Sequence, residues 1–156
     1  MTCGGLQSAH TAAVAALCAE QGLRAHLLVR GERPAVPTGL HLYARMYGCV
    51  TYIPRREYSD RDAMFEAHSA RIRSEVGTDA HVAVIKEGGA DPAALLGMLR
   101  LAEFLARDDQ LGRQLPCNFI VDCGTGVTAT GGQGWILIDG CYRWRKCHCN
   151  RWCYTL

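Results

Sequence analysis

Apolar and polar positions along the first 121 residues fall into blocks that switch between a helical and an extended rhythm. Residues 10–21 (HTAAVAALCAEQ) are alanine-rich and free of breakers, with Ser8 as candidate N-cap and Gly22 at the stop position. Residues 26–30 (HLLVR) form a short apolar run ended by Gly31, which predicts a buried strand. Residues 38–47 suit a short helix closed by Gly48, and residues 49–53 (CVTYI) are β-branched and aromatic before Pro54. A third helix is predicted to start at Ser59, three residues before Asp62 as in a capping box, and to run to Gly77. Residues 82–85 predict a further strand. Asp91 and Pro92 then supply an N-cap and an N1 proline for an apolar helix to about residue 106, and residues 119–121 (FIV) predict a last strand.

Strands and helices alternating at this spacing predict an α/β fold, a parallel three-layer αβα sheet with right-handed crossovers. The continuous apolar strands agree, because parallel strands are covered on both faces. Ligands of such sheets sit beyond the carboxyl ends of the strands, which directs attention to the loops 4–10, 31–38, 86–91 and 123–128.

Composition changes the picture at one place. The whole chain has 156 residues, 49% of them apolar, and a net charge of +2, so whole-chain electrostatics supplies no argument for nucleic acid or an anionic membrane. No apolar run approaches the ~20 residues of a membrane helix, and no basic-then-apolar leader follows Met1. Residues 132–156, however, hold all three Trp, four of the nine Cys and a net charge of +3, which leaves the rest near neutral. Cys141, Cys147, His148, Cys149 and Cys153 lack the paired C-x2-C spacing of structural zinc sites, so no metal is assigned. The Arg/Trp/Tyr mixture of this tail is too short and isolated to predict nucleic-acid binding. The tail reads as foreign to the body, in the manner of a shifted frame or read-through, and is expected to be unstructured. Cysteines scattered without rhythm in the body favour a reducing compartment.

Two loops have the make-up of anion cradles. Gly124, Thr125, Gly126 and Thr128 follow a predicted strand and precede a helix, bringing backbone N–H groups, a positive helix terminus and two hydroxyls together. Gly4, Gly5, Leu6, Gln7 and Ser8 precede the alanine-rich helix in the same way. Glu87, Gly88 and Gly89 form a third, weaker glycine loop. A tight turn or a plain N-cap would use the same residues.

Residues 2–32 (TCGGLQSAHTAAVAALCAEQGLRAHLLVRGE), 51–58 (TYIPRREY), 87–97 (EGGADPAALLG) and 119–129 (FIVDCGTGVTA) together resemble the D-cysteine desulfhydrase and 1-aminocyclopropane-1-carboxylate deaminase family. The Gln-Ser-Ala-His version of the first motif is most similar to the plant, mitochondrial-type desulfhydrases. The resemblance implies a fragment of the fold of the tryptophan synthase β subunit, with pyridoxal phosphate as cofactor. It also implies a small amino acid as substrate, homo-oligomeric full-length members, and no nucleic-acid or membrane partner. On these matches residues 1–85 make a small substrate-loop domain and residues 86–131 part of the large cofactor domain. Gly124, Thr125, Gly126 and Thr128 match the cofactor-phosphate loop, and Glu87 and Gly88 the segment beside the cofactor ring. Gln7, Ser8, Ala9 and His10 match the substrate loop, with Ser8 in the catalytic position. Ala9 stands where much of the family has Asn, which favours the desulfhydrase over the deaminase.

In the family the Schiff-base lysine lies upstream of the Gly-Gly-x-Gln-Ser motif, near which this chain begins. Its two lysines, Lys86 and Lys146, match other positions. The resemblance therefore implies a partial chain that is inactive alone, or a non-catalytic module that binds a full-length subunit. Missing partners for the sheet would leave Leu95, Leu99 and Phe104 uncovered. The branch implies mitochondria, whereas the chain as written has no transit peptide and would remain cytoplasmic.

Overall fold

A computed structural model describes residues 1–105, 107, 109–110, 118–121, 126–128, 143–146 and 152–155. It divides into two compact units, Met1–Gly88 and Gly89–Leu156.

The first unit is built on a parallel sheet of β1 (Thr2–Gly4), β2 (His26–Arg30) and β3 (Cys49–Ile53) in that order. The register pairs Cys3 with Leu28 and Leu28 with Thr51. Helix α1 (Ala9–Glu20) connects β1 to β2, and α2 (Gly39–Tyr47) connects β2 to β3. A four-residue helix α3 (Arg55–Tyr58) and the longer α4 (Arg61–Val76) follow. Side-chain alternation along the strands separates two cores. Leu27 and Val29 pack with Ala15, Ala25 and Ala44 on the α1–α2 face. Leu28, Cys3 and Ile53 pack with Tyr58, Met64, Phe65 and Ile72 on the opposite face. These layers make the α/β, three-layer parallel fold that the alternating pattern predicts.

Local chemistry explains the boundaries. Alanines at positions 12 and 15 let α1 lie close to the sheet, and Gly22, at φ +66°, ends it. The Gly22 N–H then bonds the Ala19 carbonyl at 3.1 Å and the Leu23 N–H the Cys18 carbonyl at 2.7 Å, a Schellman closure. Helix α4 is capped by Asp60, whose carboxylate accepts from the Ala63 N–H at 3.1 Å. The capping residue is thus Asp60 and not Ser59, because the Ser59 hydroxyl donates to the Arg56 carbonyl and closes α3 instead.

Residues 82–85 do not form the predicted strand. They run beside β1, joined by the Ile85 N–H to the Met1 carbonyl at 2.8 Å and by the Met1 nitrogen to the Ala83 carbonyl at 2.6 Å, without a regular ladder. The first compact unit runs to Gly88, and Glu87 is bonded into it.

In the second unit α5 (Pro92–Leu105) begins at the expected proline. Of its residues only Ala102 is buried, and Leu95, Leu99 and Phe104 are 52%, 43% and 43% exposed. Strand β4 (Asn118–Val121) pairs antiparallel with β6 (Trp152–Thr155), which pairs antiparallel with β5 (Arg143–Lys146). This corrects two expectations: β4 lies in an antiparallel sheet, and the tail contributes two strands and is not structureless throughout. The physical signal lies in WCYT, where aromatic residues stand two positions apart, and in the Trp of RWRK, a strand tendency hidden by the unusual composition. Among the described residues no helix is long and apolar enough to cross a membrane.

Candidate functional site

The substrate-loop candidates lie where β1 turns into α1, at the carboxyl end of the parallel sheet. Gly4 is required there by packing. A Cβ on it would lie 2.7 Å from the Ser8 Oγ and 2.8 Å from the Thr11 Cγ2. The Ser8 N–H bonds the Gly5 carbonyl at 3.1 Å and tightens the turn. Ser8 is the N-cap of α1, its Oγ accepting from the Thr11 N–H at 3.3 Å, while the Thr11 hydroxyl donates to the Ser8 carbonyl at 2.9 Å. The Ser8 hydroxyl thereby uses a lone pair on the helix and keeps its proton for another acceptor. The Ala9 and His10 N–H groups, first in the helix, have no carbonyl of their own to bond, which leaves donors and the positive helix end beside that hydroxyl.

His10 is fixed by a relay. Its Nε2 lies 2.7 Å from the Thr2 Oγ1, and that hydroxyl donates to the Ile85 carbonyl at 2.8 Å. A hydroxyl has one proton, and the carbonyl can only accept, so Thr2 must accept from His10. The neutral ring therefore carries its proton on Nε2 and its basic lone pair on Nδ1. Burial lowers the His10 pKa below the ordinary histidine value, and the nearby Glu87 carboxylate opposes that shift.

Gln7 behaves differently from its neighbours. Its Nε2 donates to the Thr38 carbonyl at 3.1 Å and its Oε1 accepts from the Leu40 N–H at 3.0 Å. Between these two lies Gly39 at φ +54°, where a Cβ would stand 2.7 Å from the Gln7 Oε1. Both ends of the amide thus hold the loop to the start of α2, and Gln7 positions the loop. Ala9 is exposed and brings no polar side-chain group.

Glu87 opens a short 3-10 turn, Glu87–Gly89, in which Gly88 and Gly89 adopt φ +69° and +70°. Such values favour glycine and keep that backbone bare. The Glu87 carboxylate accepts from the Tyr58 hydroxyl at 2.8 Å and from the Arg61 Nε at 2.9 Å. The Arg61 guanidinium also lies 4.5 Å from the centroid of the Tyr58 ring and bonds the Tyr58 carbonyl. Burial pushes the Tyr58 phenol far above its ordinary value, with further rises from its bonds to Cys3 and Glu87. The Cys3 thiol is likewise raised, first by burial and against the Tyr58 hydrogen bond, so it stays protonated. Glu87 is therefore a fixed acceptor, held by two donors at once.

In the second unit Gly126 has φ +85° and is followed by Val127 and Thr128 in a helical turn, with Thr128 exposed. A left-handed glycine before a helical turn is the arrangement that an anion cradle uses. Gly124 and Thr125 lie outside the described residues. Among the described residues no group of three or more His, Cys, Asp or Glu could hold a metal.

The sequence pattern thus singles out Ser8, His10 and Glu87, but not Thr2, Tyr58 or Arg61, which orient them. Tyr58 ends the TYIPRREY motif, so its signal was present without an assignable role. Thr2 likewise opens the TCGGLQSAH motif without an assignable role, and Arg61 offered no signal.

Comparison with known proteins bears on this arrangement. No family model matches the chain. It is 39% identical to "Putative D-cysteine desulfhydrase 2, mitochondrial" of Oryza sativa subsp. japonica, over 154 aligned positions covering 84% of this chain and 38% of the relative. It is 28% identical to "Putative 1-aminocyclopropane-1-carboxylate deaminase" of Thermotoga maritima, over 130 positions covering 83% of this chain and 40% of that relative. Both relatives carry the names of amino-acid-degrading enzymes, a desulfhydrase and a deaminase. Over the matched residues the chain is similar to the D-cysteine desulfhydrase and 1-aminocyclopropane-1-carboxylate deaminase family. It spans about two fifths of the length of these curated relatives.

Proposed function

We propose that this chain forms the substrate-loop portion of a pyridoxal-phosphate-dependent lyase that converts D-cysteine and water to pyruvate, hydrogen sulfide and ammonia. The C–S bond breaks with sulfide leaving, and hydrolysis of the C–N bond releases ammonia. The observation that carries this reading is the pairing of Ser8 and His10 at the first turn of α1, one with a proton to donate and the other with a lone pair on Nδ1.

The residues present fit the cofactor. Gly126 at φ +85° before a helical turn suits its phosphate, together with Gly124, Thr125 and Thr128 of the same motif. The bare Gly88 backbone beside Glu87 suits the edge of its ring. When bound, pyridoxal phosphate supplies an electron sink for charge developing on the substrate. The chain's own groups do the rest. The Ala9 and His10 N–H groups and the Ser8 hydroxyl bind the substrate carboxylate. Gln7 holds that loop at a fixed distance from α2. Neutral His10 holds or accepts a proton at Nδ1, and Thr2 keeps its ring in one tautomer. Glu87 is held in place by Arg61 and Tyr58, which both donate to its carboxylate.

Neither Lys86 nor Lys146 occupies the family's Schiff-base position, so the 156 residues by themselves are proposed not to turn substrate over. Identity favours the desulfhydrase over ring-opening deamination, as does Ala9 in place of Asn. The name of the rice relative supports a mitochondrial setting for the whole protein, and a homo-oligomer is proposed for it.

The test mixes the purified chain with pyridoxal phosphate and D-cysteine and follows sulfide release, then reduces the mixture with borohydride and maps labelled lysines. Phosphate-competed cofactor binding with no labelled lysine and no sulfide supports the proposal. Label on Lys86 with sulfide release overturns the inactivity of the chain alone, and no cofactor binding at all overturns its role in such an enzyme.

A further inference from the structure

A second polar feature of the first unit contains none of Ser8, His10 or Glu87. Beyond the carboxyl ends of β2 and β3 lies an open cleft of about 900 Å³, lined by Gly5, Leu6, Arg30, Arg33, Pro54 and Arg55 among others. Three guanidiniums face it against one carboxylate, Glu32. Among the described residues the ion pairs are Arg61–Glu87, His68–Glu57 and Arg71–Glu75, so none of Arg30, Arg33 and Arg55 is held in a close ion pair. Three like charges gathered around one cavity against a single carboxylate repel, and an anionic ligand relieves that repulsion.

The shape narrows the class of anion. Arg33 and Tyr52 also line an adjoining opening of about 250 Å³ that contains Arg45. Arginines therefore line both openings, and Arg33 is shared between them. Gly31, at φ +106°, turns the chain immediately after Arg30, and Gly5 leaves room beside the Arg30 Nη2, which lies 3.9 Å from where a Cβ would stand. One face of Arg30 lies over the Tyr58 ring at 5.6 Å, which steadies the guanidinium and leaves its edge donors to a ligand. Leu6, Pro54 and Tyr52 provide an apolar wall for an organic body, and the volume lies in the range of small-molecule sites.

We propose that this cleft binds a small organic molecule bearing a diphosphate or longer phosphate chain, with Arg30, Arg33 and Arg55 holding the phosphates. Because Gly5 and Leu6 belong to the loop that carries Ser8, occupancy stiffens that loop and acts as an effector signal.

Titration calorimetry of the 156-residue chain at low salt tests this with ADP, AMP, adenosine and inorganic pyrophosphate as probes. ADP and pyrophosphate are expected to bind, AMP at least ten-fold more weakly than ADP, and adenosine without heat. Arg33→Gln is expected to weaken ADP at least ten-fold, and Arg30→Gln and Arg55→Gln at least three-fold each. All three side chains are exposed, so the variants are expected to keep the parent circular dichroism spectrum. Arg73→Gln, on the exposed face of α4, and Thr128→Ala, in the candidate cofactor-phosphate loop, are expected to leave ADP binding unchanged. Absence of ADP binding at millimolar concentration, or AMP equal to ADP, overturns the proposal. So does equal weakening by Arg73→Gln, which would show unspecific attraction, or loss of binding in Thr128→Ala, which would place the anion on the cofactor loop.

Discussion

On one face of the first unit's sheet, α1 and α2 cover Leu27 and Val29 with alanines, and the polar groups beneath them are the His10–Thr2 relay and a His41–Tyr52 pair. On the other face, α3 and α4 bring Tyr58, Met64, Phe65 and Ile72 onto Cys3, Leu28 and Ile53, and the polar groups are Tyr58, Arg61 and Glu87. The second face matches its polar atoms completely: Tyr58 has Glu87, and Glu87 has two donors. The first does not, since the Nδ1 of His41, in a side chain only 1% exposed, has no hydrogen-bond partner among the described residues. An orphaned buried polar atom costs about 1–3 kcal/mol. The complete side therefore holds the fold and fixes a charge, while the incomplete side holds two histidines that resist protonation.

The largest expected effect breaks the complete face. Tyr58→Ala removes a buried ring and a donor to Glu87 and is expected to cost about 3–5 kcal/mol, read from urea unfolding. Tyr58→Phe, which keeps the ring and leaves Glu87 one bond short, should cost only about 1–2 kcal/mol. Equal losses in the two variants would mean that the hydroxyl and not the ring carries the packing.

Leu27→Ala and Leu28→Ala compare the apolar faces directly, because the two side chains are adjacent and both buried. Each is expected to cost about 2–5 kcal/mol, with the greater loss at Leu28, whose larger neighbours collapse less readily into the space. A greater loss at Leu27 reverses the assignment of the stronger face.

The pH dependence separates the faces again. Burial lowers the pKa of His10 and His41, with Arg45 adding to the shift at His41, and it also lowers His26. For a group whose folded pKa is depressed, the unfolded chain takes the proton first. Stability is thus full above the unfolded histidine value of about 6.5 and is lost as pH falls through the lower folded values. The melting temperature is expected to drop between pH 7.5 and 5, and the drop should shrink in His41→Phe. An unchanged slope in that variant would assign the effect to His10 and His26 alone.

The smallest effects are the caps. Ser8→Ala and Asp60→Ala are each expected to cost about 0.5–2 kcal/mol by thermal unfolding. Ser8→Ala should in addition weaken binding of small carboxylates to the first turn of α1, which Asp60→Ala leaves untouched.

Elements with their own local chemistry were legible in the sequence. The strands β2 and β3 fall on the predicted residues, Ser8 caps α1, and Pro92 opens α5, because each is set by a run, a cap or a ring within a few positions. Strand β1 was hidden, since Thr2, Cys3 and Gly4 are too few to show a period and owe their burial to pairing with β2. Residues 82–85 had the right composition for a strand but lie beside β1 without its ladder. The site divides in the same way. Ser8 and His10 could be placed by motif, whereas the Thr2 hydroxyl that orients His10 is itself held by the Ile85 carbonyl 83 residues away, and Tyr58 and Arg61 reach Glu87 across 29 and 26 residues. Contacts made at that separation leave no trace in local patterning.

The amide of Gln7 grips α2 through both its nitrogen and its oxygen, so the loop cannot shift without releasing the Leu40 N–H in the same event. Deuterium uptake at that single amide, 33 residues away along the chain, then becomes a gauge of how often the loop opens, readable in the protein without any ligand or turnover.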